Sequence, residues 1–190
     1  VSINISDLFM NAGTVNGDGT LMMPNGSTFT FNAGTFDGAG VLDSQTGSTV
    51  TIGADNVIFS NGRIWNNAGT INWNGNGSSF DTLTFNSASR FTNKQGGIFN
   101  DNTVTGSYSQ IVGQSDAQFN NEGIVNKSGA SATRISTVQL SNTGQLNINS
   151  GTLDLFTLAN GGGEYILASG TLLNVNNNAN FGSPDSISGA

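Results

Sequence analysis

NAGTVNGDGTLMMPNGSTFTF (residues 11–31) runs without a gap into NAGTFDGAGVLDSQTGSTVTI (32–52), and eleven of the twenty-one positions are identical. A direct repeat of this length, rich in Gly, Asn, Thr and Ser and free of helix-forming runs, is the signature of a supersecondary unit stacked on copies of itself. Within each copy the alternation is that of a strand: in STFTF (27–31) Phe29 and Phe31 face one way and Thr28 and Thr30 the other, and in STVTI (48–52) Val50 and Ile52 oppose Thr49 and Thr51. Further short alternating runs occur at TINW (70–73), TLTF (82–85) and LNI (146–148), each ending at Gly or Asn within strand length.

A second pattern recurs: apolar, any, Asn, any, Gly, any, apolar. It reads FMNAGTV (9–15), WNNAGTI (65–71), FNNEGIV (119–125) and LSNTGQL (140–146), with a looser FTNKQGG (91–97). Asn and Gly tolerate the left-handed backbone of a tight corner, and the flanking apolar residues anchor that corner to a core. SASRF (87–91) answers SDAQF (115–119) at 28 residues, and INSGTLDL (148–155) answers LASGTLLNV (167–175) at 19. Coils of roughly 19–28 residues predict an all-β fold, a right-handed parallel β-helix in one domain spanning 1–190, with two or three strands per turn. An antiparallel sandwich would not require a gapless repeat, and a left-handed hexapeptide helix would place an apolar residue every six positions.

Composition narrows function by exclusion. Charged residues make up 9% of the 190-residue chain, and five Lys and Arg stand against twelve Asp and Glu for a net charge of −7. With no basic cluster, nucleic acid is excluded as a partner, and no apolar run predicts membrane insertion of this segment. Cysteine and histidine are absent, which removes disulfides, thiolate metal sites and every Ser-His or Cys-His nucleophile. No cofactor is expected. Calcium is the weak exception, since NGDG (16–19) and NDN (100–102) are dense in oxygen ligands, although turn chemistry accounts for both. The 21-residue step places Asp37 over Asn16, an amide, so no carboxylate pair forms there. Arg63, Arg90, Lys94, Lys127 and Arg134 read as solvated cations or as partners of an acid on the next rung.

Binding candidates come from the outward positions. The repeat sets Thr49 and Thr51 over Thr28 and Thr30, a two-by-two threonine grid, while Thr82, Thr84, Thr103 and Thr105 have no assigned place in it. Trp65 occupies the core place of the corner pattern. Trp73 is the aromatic candidate for stacking on a sugar ring, although it shares a strand with Ile71 at core spacing.

FNNEGIVNKSG (119–129), LSNTGQLNINSGTLDL (140–155) and GGGEYILASGTLLNV (161–175) together resemble repeats of very large secreted bacterial surface proteins. They are similar to the β-helical passenger domains of autotransporters and to filamentous-haemagglutinin-like adhesins. That resemblance implies a right-handed β-helix exported to the cell surface, extracellular, and acting in adhesion or as a structural spacer. The expectation is therefore a non-enzymatic stalk or rod, a fragment of a longer repetitive chain. Its partners would be polysaccharide, a host surface or another copy joined end to end. The alternatives are a polysaccharide-processing β-helix enzyme fragment and an ice-binding protein using its Thr-x-Thr face.

Overall fold

A computed structural model describes the chain except residues 54–55, 76, 78–79, 105, 157–160, 177–185 and 190, and the side chain of Ser186. Its described elements are all strands, wound three to a coil. The first coils comprise β1 (Ser2–Asn4), β2 (Asp7–Met10), β3 (Thr14–Asn16), β4 (Thr20–Met23), β5 (Thr28–Phe31), β6 (Gly34–Asp37), β7 (Val41–Ser44), β8 (Thr49–Ile52) and β9 (Asn56–Phe59). The middle coils follow with β10 (Ile64–Asn67), β11 (Thr70–Trp73), β12 (Thr82–Phe85), β13 (Arg90–Asn93), β14 (Ile98–Asp101) and β15 (Tyr108–Gly113). The last comprise β16 (Gln118–Asn121), β17 (Ile124–Lys127), β18 (Ala132–Ser136), β19 (Gln139–Asn142), β20 (Gln145–Ile148), β21 (Thr152–Leu155), β22 (Glu164–Leu167), β23 (Leu172–Val175) and β24 (Ser186–Gly189).

Every third strand joins the same sheet. The first sheet runs β1-β4-β7-β10-β13-β16-β19, the second β2-β5-β8-β11-β14-β17-β20-β22-β24, and the third β3-β6-β9-β12-β15-β18-β21-β23. All pairings are parallel, so the fold is a β-solenoid of about eight turns, roughly 35–40 Å long at about 4.8 Å per rung. The sequence periods survive as registers: Thr28 pairs with Thr49 and Thr30 with Thr51, Asn16 with Asp37, and Arg90 with Gln118 at the expected 28. The 19-residue echo holds in the second sheet, where Ile148 pairs with Leu167, and slips by one in the third. Thr152 pairs with Leu172 rather than Thr171, which leaves Leu172 53% exposed and turns Leu173 inward. A period-2 strand sends its whole apolar set to the other face on a one-residue slip, and the Leu153–Leu173 pair, with Leu173 packed against the core, sets this register.

The lumen is filled by columns of apolar side chains, each worth about 1.5–3 kcal/mol in burial. Phe36, Phe59 and Phe85 stack nearly parallel down the third sheet with centroids 5.6 and 5.2 Å apart. Trp65, Phe91 and Phe119 form the facing column on the first sheet. Phe29, Phe31, Val50 and Ile52 all point inward, as their alternation requires.

The Asn-x-Gly pattern proves to occupy two different corners. WNNAGTI, FTNKQGG, FNNEGIV and LSNTGQL turn the chain from the first sheet to the second, with Asn67, Asn93, Asn121 and Asn142 pointing inward and 0–1% exposed. FMNAGTV instead lies between β2 and β3, from the second sheet to the third. Its leading Phe9 is 65% exposed and Met10 takes the anchoring place.

Candidate functional site

The outward face of the second sheet carries two columns of side chains, about 6.6 Å apart along each strand and about 4.8 Å apart between rungs. One column contains Thr28, Thr49 and Thr70, followed by Ile98, Ile124 and Gln145. The other contains Thr30 and Thr51, followed by Asn72, Asn100, Asn126 and Asn147. Thr28, Thr30, Thr49 and Thr51 are thus brought together as expected, and Thr70 joins them. Sequence reading missed Thr70 because TINW carries only one Thr, although its spacing of 21 residues from Thr49 was available.

The asparagine column is a hydrogen-bonded ladder. Asn100 donates to Asn72 at 2.9 Å, Asn126 to Asn100 at 2.9 Å and Asn147 to Asn126 at 2.8 Å. Asn100 and Asn126 thereby commit one donor and the oxygen to their neighbours in the column, Asn72 its oxygen and Asn147 a donor, while each group stays half-buried with its edge toward solvent. Cross-strand pairs of this kind stiffen a sheet and hold its polar groups in fixed places. At the first coil, Thr28 donates to Asp7 at 2.5 Å, so the threonine column ends on a carboxylate. This face is an array of hydroxyls and amides at regular spacing, interrupted by Ile98 and Ile124 in the first column.

Trp73 does not belong to it. Its side chain is 0% exposed in the lumen, edge-on to Phe99 at 6.4 Å, and it pairs in register with Ile52 and Asp101 at inward positions. The Ile71–Trp73 alternation put both on the buried side, so Trp73 cannot stack on a sugar. Thr82 and Thr84 lie on the third sheet, away from the grid. Thr103 is fully buried, and Thr105 lies outside the described residues.

Two of the five cations are not solvated. Arg63 is 1% exposed at the corner between the third and first sheets. It reaches back along the axis to donate to the carbonyls of Gly17, at 2.9 Å, and Asp37, and it stands over the Phe36 ring. Gly40 makes room for it, since a Cβ there would fall 2.6 Å from the guanidinium. Burial pulls the Arg63 pKa down, opposed by Asp37 and Asp18. Lys127 is also 1% exposed, with its ammonium donating to the Gly129 carbonyl; burial lowers its pKa and Asp101 opposes the shift. Asp101, the inward neighbour of Lys127 in the sheet, accepts from Thr103 Oγ1 at 2.7 Å and Thr133 Oγ1 at 2.5 Å, and Ser109 closes the network. Lys94 and Arg134 do pair with acids of other coils, Asp43 at 3.8 Å and Asp154 at 3.5 Å.

The calcium candidates do not converge on a cation. Asp101 points inward while Asn100 and Asn102 point outward and bond Asn72 and Asn74. Asp18 of the other stretch accepts from the Ala39 amide. Among the described residues no three Asp or Glu gather as a metal site. Asp37, over Asn16, accepts from Ser60 and Asn61, and those two bonds hold its carboxyl below the usual range.

Comparison with known proteins returned no matching family, no matching curated protein and no matching solved structure, so the architecture rests on the chain's own pairing pattern.

Proposed function

We propose that this chain is a non-enzymatic segment of a secreted bacterial cell-surface protein, a rigid rod that presents an adhesive face. The observation that carries the reading is the continuous outward array of the second sheet, where Thr28, Thr49, Thr51, Asn72, Asn100 and Asn126 repeat one kind of hydrogen-bonding surface along the axis. A periodic polymer is matched by a periodic surface, and a neutral one suits polysaccharide. Large exposed apolar side chains meanwhile gather in the end coils: Val1, Ile3 and Phe9 at one end, Leu172, Val175 and Ile187 at the other. These apolar edges are the kind that a further coil, or another copy joined end to end, would cover.

A glycan array combined with a reducing-end release assay tests the reading. Binding without turnover is the expected outcome. Release of reducing ends from any polymer would replace the rod with the enzyme alternative, and thermal hysteresis in a freezing assay would replace it with ice binding by the threonine patch.

A further inference from the structure

Among the described residues away from the end coils, the large exposed apolar side chains are Phe80 and Val104, at 46% and 60% exposure. Both lie where the coil lengthens, in the second-to-third-sheet corners at residues 74–81 and 102–107, against two or three residues at the corresponding corners of the early coils. In stacked repeats, insertions concentrate on one face, which is often the binding face.

Phe80 is set 28 residues before Tyr108, the same offset as the Thr82–Gln110 pair beside it, and the two rings meet edge to face with centroids 4.9 Å apart. The next residue in the column is Ala132, whose small side chain leaves space for Arg134 to lean back over the Tyr108 ring at 3.6 Å. Arg134 is held from the far side by Asp154 at 3.5 Å, and Asn174 donates to the same carboxylate at 3.0 Å. The result is a fixed platform across four coils: a half-exposed aromatic ring beside a charge-compensated polar strip.

We propose that this platform on the third sheet is a subsite for a neutral sugar ring, with Phe80 stacking on the apolar face of a hexose and Arg134, held in place by Asp154, and Gln110 meeting its hydroxyls. The occupant follows from charge and size. Arg134 is already neutralised by Asp154 and the chain carries −7, so an acidic glycan gains nothing, while two exposed apolar side chains are too few for the core of a protein interface. The choice of a sugar rests on the polysaccharide reading above, but the site lies on a different sheet from the threonine and asparagine array.

Saturation-transfer NMR with soluble neutral oligomers of glucose and of N-acetylglucosamine, and with an oligogalacturonate, tests it on the full chain. Binding of a neutral oligomer is expected, about tenfold weaker in Phe80→Ala and retained in Phe80→Trp, with cooperative melting showing that both variants are folded. Equal binding by wild type and Phe80→Ala would overturn the site and leave the adhesive reading standing. Preference for the oligogalacturonate would overturn the neutral assignment. No binding of any glycan, here or on the array, would overturn both. A wild-type dimer that Phe80→Ala dissolves would make the platform a protein contact and overturn the site.

Discussion

The tetrapeptide Asn-Ala-Gly-Thr occurs at residues 11–14, 32–35 and 67–70, and the second and third copies do opposite things. At the former, between the second and third sheets, Asn32 turns outward and donates to Asn11 on the rung before it at 2.9 Å; Gly34 sits at φ 122°, a backbone few side chains tolerate. At the latter, between the first and second sheets, Asn67 is fully buried. It donates to Asn93 at 2.8 Å and to the carbonyls of Gly69 and Ile98, both at 3.2 Å. Gly69 is needed there for closeness, because a Cβ would fall 2.5 Å from the Ser48 carbonyl. The inner ladder continues through Asn93, Asn121 and Asn142 with spacings of 2.8–2.9 Å, each amide also tying down a backbone carbonyl of the corner. Identical hydrogen bonds therefore differ in consequence by location: buried, they satisfy groups that have no water to fall back on, whereas exposed ones compete with solvent.

That contrast sets the sizes of the expected effects. Asn93→Ala should cost the most, about 3 kcal/mol, since it strands the Asn67 amide and the carbonyls of Gly97 and Ile124 in the lumen. The corresponding fall in melting temperature is roughly 10 °C by calorimetry. A loss no larger than that of an exposed Asn would break the comparison. Lys127 sharpens it from the other side, as a buried charge not held in an ion pair. Its folded pKa lies below 10.5, so unfolding takes up a proton between the two values, and stability should rise with pH across that window. Urea titrations at stepped pH should show the rise in wild type and its disappearance in Lys127→Met.

Asn32→Ala should cost only about 0.5 kcal/mol, because water replaces the partner that Asn11 loses. The smallest effect concerns Asp37, whose carboxyl is held low by Ser60 and Asn61. Its contribution is complete above the ordinary value of 3.8 and fades as pH falls through the lowered folded value, so Asp37→Asn should slightly flatten the acid limb of the stability curve. An unchanged limb would show that those exposed bonds carry no weight.

Much of the architecture was legible because alternation and repeat length act locally. Phe29, Phe31, Val50 and Ile52 had to face one way, and a gapless period of 21 residues had to bring Thr28 under Thr49. Trp73 followed the same alternation into the core, and its candidacy as a sugar platform set the chemistry of indole above the strand that carries it. The aromatic platform at Phe80, Tyr108 and Arg134 was not legible. Its members lie 28 and 26 residues apart in coils of unequal length, and no single period aligns them.

The sequence by itself determined that this chain coils, which residues of its alternating apolar runs face inward, and that its surface is polar and sparsely charged. Those properties depend on side-chain period and composition, which need no knowledge of distant partners. Only the tertiary structure decided which corner each Asn-x-Gly turns, hence whether its amide seals the lumen or meets water, and that Arg63 and Lys127 are buried. Those outcomes depend on which coil lies above and below, and that stacking is set by the packing of whole columns rather than by any short motif.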